Sequence, residues 1–132
     1  MQNSLFTKII QGAIPCHKIY EDEKTFVFLD IFPSSEGHML VVPKKQVEFL
    51  WDLDDSDYQA VMETVRVVAR RSREVLGVKY VGVKVIGTDV PHAHVHVIPF
   101  NSAKDEYYAP QRSEGEPNHE ALAKVAEKLR IG

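Results

Sequence analysis

The segment His92-Ala93-His94-Val95-His96-Val97-Ile98 repeats histidine at every second position. Side chains of a β-strand point alternately to its two faces, so this pattern predicts a strand over residues 92–100 with three imidazoles on one face. Ala93, Val95 and Val97 would share the opposite, apolar face, which can pack on a helix. Strand propensity gives no reason to repeat histidine in this way. The pattern therefore indicates a functional site.

Four further strands are predicted around this one. Stretches rich in β-branched and aromatic residues mark them at 18–20, 25–30, 38–42 and 80–86. The composition turns polar after the histidine strand, which predicts a loop over residues 101–118.

Three helices complete the prediction. Apolar residues at spacings of three and four predict one long helix between residues 53 and 76, with Asp54 or Asp55 as its N-cap and Gly77 as its stop. Short helices are predicted directly after Ser4 and over residues 121–129. Because strands and helices do not alternate as βαβ units, we expect a single α+β domain over the whole chain, built on an antiparallel five-stranded sheet.

Composition narrows the class of protein. The chain has 132 residues and a formal net charge of -3, without the basic excess that binding to a nucleic-acid backbone requires. Its one cysteine, Cys16, cannot form an internal disulfide. No apolar run approaches the roughly 18 residues of a membrane helix, and no signal-peptide pattern begins the chain. We therefore expect a cytoplasmic protein that binds neither nucleic acid nor membrane.

Three chemistries can use a row of imidazoles, and the strand alone does not choose among them. Histidine nitrogens bind zinc. A neutral imidazole can also attack phosphorus and form a covalent intermediate. A third possibility is a site that holds phosphate by hydrogen bonds and charge without turnover.

Residues 92–98 match at every position the His-φ-His-φ-His-φ-φ motif, with φ apolar, and the chain resembles the histidine triad (HIT) family, in particular its nucleotide-binding branch. The N-terminal half is similar as well, in Leu5 to Ile10 with Ile14-Pro15, Tyr20 to Glu23, Phe28 to Ile31 and Gly37 to Lys44. The resemblance thus covers most of residues 4 to 100.

The resemblance implies a nucleotide-binding hydrolase without a cofactor, working as a homodimer whose two sheets join into one. His94 would attack the α-phosphorus of a nucleoside phosphoramidate, a nucleoside monophosphate ester or a dinucleoside polyphosphate. His92 and His96 would flank it, and His38 would support them from a separate strand. The alternatives are a nucleotidyl transferase and a regulatory nucleotide-binding module with weak catalysis.

The resemblance also assigns a site for a purine nucleoside. Asp30 would accept hydrogen bonds from the ribose hydroxyls, as an ionised carboxylate offers only acceptors. Five apolar residues would sandwich the base, although core residues would look the same in the sequence: Leu5, Phe6, Ile9, Phe28 and Ile31.

The chain departs from the family in two places. Many members bind structural zinc through His92 and three further positions, which here are Ser4, Thr7 and Gln46. His92 cannot complete a four-coordinate shell without them, so we predict no metal. The second departure directly precedes the triad, where relatives place a hydroxyl or amide near the leaving group. This chain has Thr88 in the place of the usual glutamine and Asp89 beside it. Asp89 could act there as a general acid, orient a histidine or simply end the turn.

Overall fold

The fold is an antiparallel sheet of five strands with one long and two shorter helices, as predicted, and the helices lie on both faces of the sheet. The computed structural model describes residues 2–111 and 114–132. The sheet order is β1-β2-β3-β5-β4. The strands are β1 (Lys18–Glu21), β2 (Thr25–Leu29), β3 (Met39–Pro43), β4 (Tyr80–Lys84) and β5 (Val95–Phe100). The helices are α1 (Leu5–Ile10), α2 (Asp55–Leu76) and α3 (His119–Leu129).

The helix ends follow from local capping chemistry. The Asp54 side chain accepts a hydrogen bond from the Asp57 amide at 2.8 Å and so satisfies a free donor at the start of α2. Gly77 ends the same helix with φ +69°, a left-handed conformation that favours glycine. The Ser4 side chain caps α1 in the same way, by accepting from the Thr7 amide at 3.0 Å. Among the described residues, none of the helices combines the length and apolarity of a membrane span.

The alternation of each strand divides the sheet into two faces. One face packs on α2 and contributes residues such as Val41, Val95 and Val97 to the larger core. The other face contributes Phe28 and Leu40 to a smaller cluster against α1. The predicted apolar face of the histidine segment therefore packs on the long helix, which leaves the imidazoles on the α1 side.

The prediction that the histidine strand begins at residue 92 is wrong, since β5 begins at Val95. The Ala93 amide donates to the Val47 carbonyl at 2.7 Å, a loop contact outside the sheet ladder. Pro91 lacks the amide that a ladder needs. The other strand ends differ from prediction by one or two residues, and the predicted loop after β5 contains an unpredicted helical turn at Ala103–Tyr107.

Candidate active site

The three imidazoles of the motif are all buried. The ring centroids of His94 and His96 are 5.3 Å apart. The Phe6 ring of α1 makes edge contacts with His94 at 5.0 Å and with His92 at 5.8 Å. Helix α1 therefore covers His92 and His94 through Phe6. Of the three histidines, only His96 lies within a strand.

One backbone contact selects the tautomer of His94. Its Nδ1 lies 2.7 Å from the carbonyl oxygen of His92. A carbonyl can only accept, so Nδ1 carries the proton in the neutral ring. The Nε2 atom of His94 then holds a lone pair, as a nucleophile requires.

A second chain of hydrogen bonds orients His96. The Ser34 amide donates to Nδ1 of His38 at 3.0 Å, so the neutral His38 ring carries its proton on Nε2. That Nε2 lies 3.0 Å from Nδ1 of His96 and donates to it. Nε2 of His96 consequently carries a proton that it can donate to a phosphate oxygen.

Burial keeps the rings of His38 and His96 neutral. It is the main cause that lowers the pKa of His96 to about 4, and the neighbouring His38 and His94 lower it further. Burial also lowers the pKa of His38, against the opposing effect of Asp30. The neutral tautomers assigned to His38 and His96 are therefore the forms present near neutral pH.

Asp30 completes this group at the end of β2. Its Oδ2 lies 3.7 Å from Nε2 of His38 and 4.0 Å from Nδ1 of His96. The ligand atoms of the three side chains are all within 4.8 Å of one another, a spacing that a metal ion could bridge. The Ser34 amide, however, occupies Nδ1 of His38 and places the proton on the nitrogen that would have to bind the metal. The donor set thus suits a hydrogen-bond chain better than a metal centre.

A cavity of about 240 Å³ opens beside Asp30, between α1 and the sheet. All five apolar residues predicted to hold a base line it, together with Leu40 and Cys16. Phe6, Ile9 and Phe28 are buried, whereas Leu5 and Ile31 are 46% and 39% exposed at its rim. The side chain of Gln111 reaches the mouth and donates to Oδ2 of Asp30 at 2.9 Å.

The four positions compared above with a zinc site meet in space as a network of hydrogen bonds. Nε2 of His92 donates to the Pro43 carbonyl at 2.7 Å, so its Nδ1 accepts from the Ser4 hydroxyl at 2.7 Å. The Thr7 hydroxyl and the Ser4 amide both donate to Oε1 of Gln46 at 2.7 Å. Neutral side chains thus connect α1 to the motif where a metal ion would otherwise do so.

Asp89 forms no hydrogen bond or ion pair with the histidines within residues 2–111 and 114–132. Its carboxylate is exposed, and its hydrogen bond within the described residues comes from the Thr88 hydroxyl at 3.4 Å. That contact fits the turn-ending role, and a role in acid catalysis remains a prediction.

Two residues of the site were missed by sequence reasoning. Ser34 acts through its backbone amide, which every residue except proline has. Its residue type therefore could not have predicted this role. Lys84 lies on β4 directly opposite His96, in a register that the sequence does not specify. The alternation along the predicted strand leaves Lys84 on either face of the sheet. Only the pairing with β5 shows that Lys84 lies on the same face as His96.

A family model described as the HIT domain matches residues 11–103. The chain belongs to the HIT family. Among its relatives, the "Protein hit" of Bacillus subtilis is 38% identical over 104 residues, which span 74% of this chain and 71% of that protein. An uncharacterized HIT-like protein of Methanocaldococcus jannaschii is 38% identical over 99 residues, spanning 72% of this chain and 77% of that protein.

Solved structures of HIT proteins share the whole fold. A Hit-like protein of Bartonella henselae, whose crystal structure holds an unknown ligand, aligns with a TM-score of 0.81 at 28% identity over 97% of this chain and 95% of that chain. A zinc-bound histidine triad protein of Mycobacterium smegmatis aligns with a TM-score of 0.80 at 26% identity, covering 96% and 89%. The predicted family and fold class are thus confirmed, and the family generally comprises nucleotide-binding hydrolases and transferases.

Proposed function

We propose that this HIT protein is a hydrolase that cleaves nucleotides at the α-phosphorus through a nucleotidyl-His94 intermediate. The observation that carries the proposal is the hydrogen bond from Nδ1 of His94 to the His92 carbonyl, which leaves Nε2 of His94 unprotonated. The candidate substrates are a nucleoside phosphoramidate, a nucleoside monophosphate ester or a dinucleoside polyphosphate.

In the first step, Nε2 of His94 forms a bond to the α-phosphorus while the bond from phosphorus to the leaving atom breaks. The leaving group departs with the electron pair of that bond, and a leaving amine takes up a proton from solvent water as it departs. Nε2–H of His96 donates to a phosphate oxygen, where negative charge builds up in the transition state. The hydrogen bond from His38 to His96 holds this donor in place at 3.0 Å.

In the second step, water attacks the same phosphorus and the bond to His94 breaks. The water oxygen becomes part of the nucleoside monophosphate, its proton is released, and His94 returns to its neutral form. An alcohol or phosphate acceptor in place of water would make the same intermediate a transferase.

The apolar cavity supports the nucleoside part of the proposal. Its volume of about 240 Å³, its apolar lining and the exposed rim residues Leu5 and Ile31 suit a purine base between them. Asp30 borders the cavity and also approaches His38, so a ribose held by its carboxylate would place the α-phosphate near the histidines.

We also propose that the protein is a homodimer in which β4 pairs with its copy. β4 is an edge strand of the sheet, and exposed edges invite pairing. Large apolar side chains on and beside it are exposed, among them Tyr80, Val83 and Ile86. Sedimentation velocity would show a dimer for the wild type and a monomer for Val83→Lys, and a monomeric wild type would contradict the arrangement.

The function is tested with His94→Ala and with His119→Ala as its control, since His119 is exposed on α3. With adenosine 5′-phosphoramidate, we expect His94→Ala to lose at least about a thousandfold in kcat/KM, because no other group replaces the nucleophile. AMP binding, measured by calorimetry, should persist. Mass spectrometry of the quenched wild type should find a nucleotidyl group on His94. Turnover retained in His94→Ala would refute the proposal.

A further inference from the structure

The register of the sheet sets Lys84 apart from the nucleoside cavity. Leu40 of β3 pairs with His96 of β5, and His96 pairs with Lys84 of β4. Directly paired residues lie on the same face of a sheet, and neighbouring strands are about 4.8 Å apart. Leu40 and Phe28 line the nucleoside cavity. Lys84 therefore lies beyond His96, on the side away from the nucleoside.

Among the described residues, the Lys84 ammonium is held in place without a neutralising carboxylate. Its Nζ donates to the Tyr107 carbonyl at 2.6 Å and lies 4.7 Å from the centre of the Tyr107 ring. The residue is half-buried, and no carboxylate within residues 2–111 and 114–132 lies within 4.0 Å of the ammonium. Two of its three N–H donors remain for an anion.

Tyr107 fixes this position of the ammonium. Its ring covers Gly82, where a Cβ atom would overlap the ring. Its hydroxyl donates to the Val83 carbonyl at 2.6 Å. The helical turn at Ala103–Tyr107 thus packs on β4 and holds the Lys84 ammonium, on the face of the sheet that also carries His96.

The charge of Lys84 also reaches the histidines. Burial is the main cause of the lowered pKa of His38 and of His96, and the positive charge of Lys84 lowers both further. A cation close enough to act on these rings is close enough to act on a phosphate bound to them.

We propose that Lys84 determines specificity by binding the leaving group when that group is a further phosphate. The inference rests on the proposed function. When the bond between the α-phosphorus and the bridging oxygen breaks, the leaving phosphate gains negative charge on that oxygen, and the ammonium stabilises it. The leaving amine of a phosphoramidate gains nothing from a nearby cation. The chain should therefore favour nucleotides with two or more linked phosphates.

The test compares kcat/KM for diadenosine triphosphate with kcat/KM for adenosine 5′-phosphoramidate. Lys84→Met removes the charge and keeps the chain length, and we expect it to lower the ratio of the two values about tenfold to a hundredfold. Lys84→Arg keeps the charge and should restore most of the ratio. Lys79→Met, which removes an exposed lysine next to β4, should leave the ratio unchanged. Thermal melting checks that the variants fold.

A ratio of the two kcat/KM values that is unchanged in Lys84→Met, whether both values fall equally or neither falls, would overturn the inference. A binding experiment separates this failure from failure of the proposed hydrolysis, because it needs no turnover. Calorimetry with AMP and ADP should show that the wild type prefers ADP and that Lys84→Met loses this preference. If the wild type turns over neither substrate but shows this pattern, Lys84 still binds the second phosphate. If the wild type does not prefer ADP, or if Lys84→Met keeps the preference, Lys84 does not bind the second phosphate.

Discussion

His92 and His96 are outer members of the same motif, yet the protein uses them differently. Both rings are buried, and burial lowers the pKa of each. Both nitrogens of His92 are taken up by the protein, by the Ser4 hydroxyl and the Pro43 carbonyl. His96 is bound only at Nδ1, and its Nε2 has no hydrogen-bond partner among the described residues. His92, bonded at both nitrogens, therefore has a structural role. His96 keeps one nitrogen available to bind substrate.

The largest expected effect is the loss of activity when His96, the histidine with an available nitrogen, is replaced. His96→Ala should lower kcat/KM with adenosine 5′-phosphoramidate by about a hundredfold to ten-thousandfold, because the proposed donor to the phosphate oxygen is lost. Steady-state kinetics with thermal melting as a folding control measure this. A variant that stays folded and keeps more than a tenth of the activity would contradict the role given to Nε2.

The next effect concerns stability against pH, where the two histidines should act alike. The pKa of His96 lies at about 4 in the folded protein, below its ordinary 6.5. The unfolded chain therefore binds more protons in this window, and stability should fall as the pH drops from 6.5 to about 4, by up to about 1.4 kcal/mol per pH unit for one histidine. The lowered pKa values of His38 and His92 add in the same direction.

Urea unfolding at pH 7, 5.5 and 4.5 measures this slope. His96→Gln removes one titrating group, so the free energy of unfolding should depend less steeply on pH than in the wild type. An identical slope in the variant would show that His96 is not held neutral by the fold.

The smallest expected effect is the loss of stability when the hydrogen bond between Ser4 and His92 is removed. Ser4→Ala removes the closer donor to Nδ1 of His92, leaving the Thr7 hydroxyl at 3.3 Å, and it also removes the cap of α1. The two losses together should cost about 1 to 3 kcal/mol in the free energy of unfolding. Asn118→Ala is the matched control, because it removes only the cap of α3, worth about 1 kcal/mol. Denaturant unfolding compares them. Equal losses would mean that the bond to His92 contributes nothing to stability.

Local patterns were enough to predict most of the fold. Helix α2 has its cap at Asp54 and its stop at Gly77 because capping involves neighbours in sequence. The apolar alternation at Val95 and Val97 correctly assigned the face that packs on α2. The start of β5 was misplaced, because whether Ala93 pairs in the sheet or with Val47 depends on a distant loop.

The fold class and the motif could be assigned from residue types and their spacing, and the family resemblance added that the usual zinc ligands are missing at Ser4, Thr7 and Gln46. The tautomers of the histidines and the place of Lys84 depend instead on tertiary contacts. A tautomer depends on which donor or acceptor a ring nitrogen meets, and for His38 that partner is the amide of Ser34. The position of Lys84 depends on strand register, which pairs residues from distant parts of the chain.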